Sequence, residues 1–96
     1  MNEDVSRIRL PERFDFDHHK IFSQAYKAAL NKPGCASIIL DFSDVDYLDS
    51  SALGLMVLLH REANSQGVSL AIEGASGVAR DILNMANMQK LYDFRQ

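Results

Sequence analysis

Three polar residues, Asp49, Ser50 and Ser51, stand in a row within YLDSSALG, between the apolar runs SIILDF and LGLMVLL. A carboxylate and two hydroxyls in that order support three chemistries. Asp and Ser are preferred helix N-caps, because their oxygens accept hydrogen bonds from backbone N–H groups left free at a helix start. A serine becomes a nucleophile when a base activates it. A hydroxyl at a helix start also suits a phosphoryl group, since the free N–H groups and the helix dipole favour negative charge there. Capping and modification do not exclude one another.

The nucleophile reading has little around it. Ser50 lacks the flanking glycines of a G-x-S-x-G elbow. The only histidines are His18, His19 and His60. At about 1.5 Å per residue, His60 lies two to three turns beyond Ser50 on the same helix, too far for a direct hydrogen bond. His18 and His19 are adjacent, so on a helix they point apart and make no metal pair. There is no P-loop and no GxGxxG. The expectation is a protein that is not an enzyme, with no cofactor and no metal site.

Composition narrows the class further. The chain has 96 residues, enough for one domain spanning 1–96, and 47% hydrophobic residues can fill one core. The 24% charged residues are those of an ordinary globule. Net charge is −3 and the pI about 5.5, with no Lys/Arg cluster, which argues against nucleic acid as a partner. The lone cysteine, Cys35, can form no internal disulfide, in keeping with a reducing compartment. The opening MNEDVSRIRL is charged and reads as no signal peptide. The longest apolar run, Leu55 to Leu59, is too short to span a membrane, so a cytoplasmic protein without membrane insertion is expected.

The elements that must position the three polar residues follow from periodicity. Ile8 and Leu10 alternate with Arg7 and Arg9 as a half-exposed strand. After a turn at Pro11-Glu12, Phe14 and Phe16 continue the alternation in a second short strand. Asp17 is placed to cap a helix with the stripe Phe22, Ala25, Tyr26, Ala29 and Leu30, ended by Asn31-Lys32-Pro33-Gly34. Ser37 to Phe42 is apolar on consecutive positions, as a strand covered on both faces is. Ser50 or Ser51 starts a helix to about Ser65, stopped by Gln66-Gly67. Val68, Leu70 and Ile72 alternate as another strand. Ser76 can cap a third helix with the stripe Val78, Ala79, Ile82, Leu83 and Ala86. Leu91, Tyr92 and Phe94 form a last edge strand. Met85 and Met88 read as core or edge filler. The order β-β-α-β-α-β-α-β predicts an α/β fold, a mixed β-sheet of four to five strands with crossover helices packed against it.

In this setting IILDFSDVDYLDSSALGLMVLLHREANSQGVSLAI resembles the central part of a STAS domain of the anti-sigma factor antagonist type. The family pattern is an apolar strand, a D-x-x-x-x-D-S-S/T-G-L-G loop, a helix and a Gly-led strand. Here these are Ile38 to Phe42, Asp44 to Gly54, the helix through Ser65, and Gly67 to Ile72. Gly77 to Phe94 is similar to the family's last helix and tail. ERFDF, Glu12 to Phe16, resembles its G-x-L/F-D turn, with Asp15 in the Asp position and Asp17 as the competitor. The chain departs from the pattern twice, at Ala52 after the hydroxyls and at Arg13 in the early turn, where the family carries glycine. Ala52 is expected to keep the helix start and tighten the docking surface.

The resemblance implies a partner-switching role. Ser50 would be phosphorylated by a partner that is both anti-sigma factor and serine kinase. The unmodified form would bind that partner, and a PP2C-type phosphatase would restore it. Ser51 is then a neighbour and cap. Asp15, Asp49, Ser51, Ala52, Leu53 and Gly54 surround the phosphosite, with Leu55, Met56 and His60 as further contact candidates on the second helix, in a run that amphipathic core packing mostly accounts for. The alternative keeps the fold as a stand-alone STAS subunit of a non-sigma system, a lipid transport complex or a regulator of secretion and surface behaviour. A small serine-dependent enzyme is the reading from a different class.

Overall fold

The computed structural model describes residues 4–96. In chain order its elements are β1 (Asp4–Arg9), β2 (Arg13–Phe14), a 3-10 turn (Phe16–His18), α1 (His19–Asn31), β3 (Cys35–Asp41), β4 (Tyr47–Leu48), α2 (Ser50–Ser65), β5 (Ser69–Glu73), α3 (Gly77–Met85), a second 3-10 turn (Met88–Lys90) and β6 (Asp93–Arg95). The main sheet has the order β1-β3-β5-β6, and β2 pairs with β4 apart from it. Every pairing among the described residues is parallel, where a mixed sheet was expected.

The strand order advances steadily in one direction, and each step is made by a crossover helix. Right-handed crossovers that never reverse put every helix on the same face. The buried side chains agree. Ile38, Leu40, Leu70 and Ile72 share one core with Phe22 and Tyr26 of α1, Ala52, Met56, Leu59 and Ala63 of α2, and Ala79 and Leu83 of α3. Ile39 and Ala71 are also buried, at 7% and 3% exposure, but they lie outside that cluster because alternate strand residues point to opposite faces.

The consecutive burial in SIILDF is therefore real, but no helix among the described residues covers its second face. Side chains of the sheet do so. Arg7 lies opposite Ile39 and Glu73 opposite Asp41, on the two strands that flank β3. The Arg7 Nη1 to Glu73 Oε1 ion pair, 2.7 Å long, therefore passes over the central strand. The aliphatic stem of the arginine covers apolar surface while its charge stays in water.

Other expectations shift locally. The second strand stops at Phe14, and Phe16 starts the 3-10 turn with 60% of its surface exposed. Asp17 does not cap α1; His18 takes that position without a side-chain bond. Ser76 occupies the N-cap of α3, also without a side-chain bond. Val78 leaves the predicted stripe and is 60% exposed, and Met85 is 83% exposed where filler was expected, while Met88 is buried. Of the last predicted strand only Phe94 lies in β6. Gly74, at φ +77°, ends β5 where a Cβ would meet Ser43 at 3.1 Å, so the β3–β4 loop packs directly on its backbone. No helix among the described residues is long and apolar enough to cross a membrane.

Candidate functional site

The site begins with a small ladder at the carboxyl end of the sheet. Arg13 pairs with Tyr47 and Phe14 with Leu48. Glu12 O accepts from Asp46 N at 2.8 Å and from Tyr47 N at 3.2 Å. Phe14 and Leu48 are buried, and the Phe14 ring packs on Phe22 at 4.9 Å, so the apolar half of each dipeptide anchors the ladder in the core. The Arg13 guanidinium lies 5.0 Å from the Tyr47 ring centre on the outer side. This ladder brings the segment after Phe14 beside the segment after Leu48.

Asp49 joins the two. Its backbone is extended (φ −106°, ψ −177°), as an N-cap requires. Its Oδ1 accepts from Ala52 N at 3.0 Å and its Oδ2 from Phe16 N at 3.2 Å. Its backbone N–H donates to Phe14 O at 3.4 Å. The cap is thus Asp49, not Ser51. Ser50 becomes the first residue of α2 and is exposed, and Ser51 is half-buried. No side chain among the described residues hydrogen-bonds the Ser50 hydroxyl.

Asp15 is used one residue before that junction. Its Oδ1 accepts from Asp17 N at 3.1 Å and caps the 3-10 turn, and its Oδ2 lies 3.6 Å from Arg13 Nε. Asp15 and Asp49 therefore meet through the Phe16 amide. The Phe16 ring stacks on His19 with centroids 4.5 Å apart and planes 16° from parallel. His19 Nδ1 also lies 2.8 Å from Phe16 O. Nearby, the Ser43 hydroxyl and then its amide bond Asp41, holding that carboxyl below its usual range.

The run Leu55–His60 divides between core and surface, with core packing taking Met56. Ser50, Gly54, Val57, Leu58 and Arg61 are exposed at helical spacing. Met56 is fully buried, and its carbonyl accepts from Tyr92 Oη at 2.8 Å. Leu55 and His60 are half-buried flanks, so they and Met56 do not form the outer surface. His60 lines an open groove of about 270 Å³ with Asn64, Val68, Ser69, Leu70 and Leu91, toward the other end of α2. Leu53 is half-buried against the core.

Ala52 is also a correction. Its side chain is fully buried, so it reaches no docking surface, and only its N–H contributes to the site. Gly54 has the opposite character: a Cβ added there meets nothing within 4 Å. Sequence reasoning missed Phe16, because alternation with Phe14 placed it in a strand. The signal was the Asp15-x-Asp17 spacing, which favours a local side-chain turn over continued extension.

A family model described as Mlab, STAS domain, matches residues 1–93. A STAS-domain containing protein of Pseudomonas aeruginosa (strain UCBPP-PA14) is 33% identical over 85 residues, 88% of this chain and 82% of that protein. Two solved structures share the fold. The protein TM1081 of Thermotoga maritima superposes with a TM-score of 0.83 at 22% identity, covering 100% of this chain and 82% of that one. The Bacillus cell fate determinant SpoIIAA in its phosphorylated form gives 0.74 at 18% identity, covering 100% and 86%.

Proposed function

The chain belongs to the STAS domain family, and from that premise we propose that it is an anti-sigma factor antagonist of a partner-switching pathway, acting in the cytoplasm as one domain over residues 1–96. Its unmodified form binds an anti-sigma factor that is also a serine kinase. Phosphorylation at Ser50 blocks that binding, and a PP2C-type phosphatase restores it. The observation that carries this reading is the division of labour at the start of α2: Asp49 caps the helix, which leaves the exposed Ser50 hydroxyl free. The chemistry is the partner's, so the chain needs no base of its own.

A phosphoryl group adds about −1.5 to −2 charges at neutral pH. At the first residue of a helix the dipole tolerates that charge, so the fold survives. A partner surface shaped around a neutral hydroxyl must instead desolvate a dianion, which is costly without matched donors. Modification therefore acts on binding and leaves folding in place.

Tagged wild type, Ser50→Ala and Ser50→Asp chains test this in the native lysate. Ser50→Ala keeps a kinase-like partner and Ser50→Asp loses it. Equal recovery by all three, with each chain folded, overturns the switch. A second reading keeps the STAS domain and changes its target, to a subunit of a lipid transport complex or another non-sigma system; recovery of a transporter ATPase selects it.

A further inference from the structure

Phe16 is an anomaly in this chain. Phe14, Phe22 and Phe42 are buried in the core, yet Phe16 is 60% exposed and held flat against His19. An aromatic ring left in water contributes little to folding, and a rigid one is a ready anchor for a protein partner. Phe16 is also fixed relative to the phosphosite. Its amide donates to the same Asp49 carboxylate whose other oxygen caps the helix that begins with Ser50. Further along, Tyr26 Oη donates to Glu62 Oε2 at 3.2 Å, so α1 and α2 lie side by side. One carboxylate, that of Asp49, thus bonds both the Phe16 amide and the first turn of the helix that Ser50 begins.

We propose that Phe16 and His19 form a second recognition element for the partner that reads Ser50, and that Asp49 is the positioning residue that holds the two elements in register. The proposal rests on the switch reading. The occupant is a protein surface with an apolar recess for the Phe16 ring, bordered by basic side chains. The local charges favour that border: Asp15 and Asp17 flank Phe16 in the chain, Asp49 accepts from its amide, and Arg13 is already engaged with Asp15 and Tyr47. Gly54, one turn beyond Ser50 on the exposed face, leaves the partner room to approach the helix backbone.

Asp49→Asn separates the two roles of this residue. Asparagine keeps an oxygen for Ala52 N–H and caps as well as aspartate. Its amide group, however, presents a donor to the Phe16 N–H. The test uses the full ¹⁵N-labelled chain and, as probe, the purified protein that the Ser50→Ala chain recovers. In Asp49→Asn, Phe16 amide exchange is expected to speed up at least tenfold while Ala52 stays protected. Phe16→Ala is expected to weaken binding of the probe at least tenfold with its thermal midpoint unchanged, and Asp49→Asn to weaken it less. Val78→Ala, an equally exposed apolar change on α3, leaves binding intact. Wild-type affinity in Phe16→Ala, or an unchanged Phe16 exchange rate in Asp49→Asn, overturns the proposal. If Ser50→Asp binds as wild type does, the switch fails instead, and the Phe16 titration still decides whether that ring is read.

Discussion

Two helices of this protein start in the same way and are finished differently. α2 and α3 both follow a strand at the carboxyl edge of the sheet, and both carry serine at the junction. At α2, Asp49 holds the cap position with both carboxylate oxygens bonded, and Ser50 comes after it with an uncommitted hydroxyl. At α3, Ser76 itself holds the cap position without a side-chain bond and is followed by Gly77 at φ +56°. The difference teaches where function has room. Neither serine hydroxyl is bonded to its helix, but only at α2 does an aspartate do the capping, which leaves Ser50 surplus to folding and free to be modified.

The largest effect expected from this contrast is on binding. Ser50→Asp should weaken the partner complex about a hundredfold, the scale of an unmatched charge at an interface, whereas Ser76→Asp should leave it unchanged. Titration calorimetry with the purified partner reads both, and equal losses would erase the distinction between the two helix starts.

Stability should separate them next. Asp49→Ala removes a formed cap and is expected to cost about 1–2 kcal/mol in urea unfolding. Ser76→Ala removes no bond and should stay within about 0.5 kcal/mol of wild type.

A third test sharpens why α2 is the firmer platform. The Tyr92 hydroxyl donates to Met56 O inside the core, and burial pushes its pKa above the usual tyrosine value. A phenol whose folded pKa is raised contributes stability that is present below its unfolded pKa of about 10 and lost as pH rises beyond it. Alkaline unfolding of wild type should therefore begin above about pH 10. Tyr92→Phe should reduce that pH dependence, leaving the part due to Tyr26, whose pKa burial also raises, and cost about 1 kcal/mol at neutral pH.

The smallest effect is a gain. Gly54 sits in a helix interior with no steric reason for glycine, so Gly54→Ala should stabilise the fold by about 0.5–1 kcal/mol. A chain that melts higher yet binds its partner less well would assign the glycine to the interface. Unchanged affinity would remove it from that surface.

The sequence by itself determined much of this. Apolar periodicity gave three helices and the central strand, because period and burial are local properties of a strand or helix. The DSSALG stretch placed Asp49 and Ser50 at a helix start, since the types that accept free N–H groups are few. Tertiary structure decided the rest. Which oxygen caps α2, and that the same carboxylate reaches Phe16 N across 33 residues, depends on the β2–β4 ladder, and a two-residue ladder leaves almost no trace in local pattern. The same holds for the second face of the sheet. Ile38, Ile39 and Leu40 read alike in sequence, but unidirectional crossovers put every helix over Ile38 and Leu40 and left Ile39 beneath an arginine–glutamate pair from flanking strands. Burial was legible because it follows from residue type; the covering group was not, because it comes from strands remote in the chain.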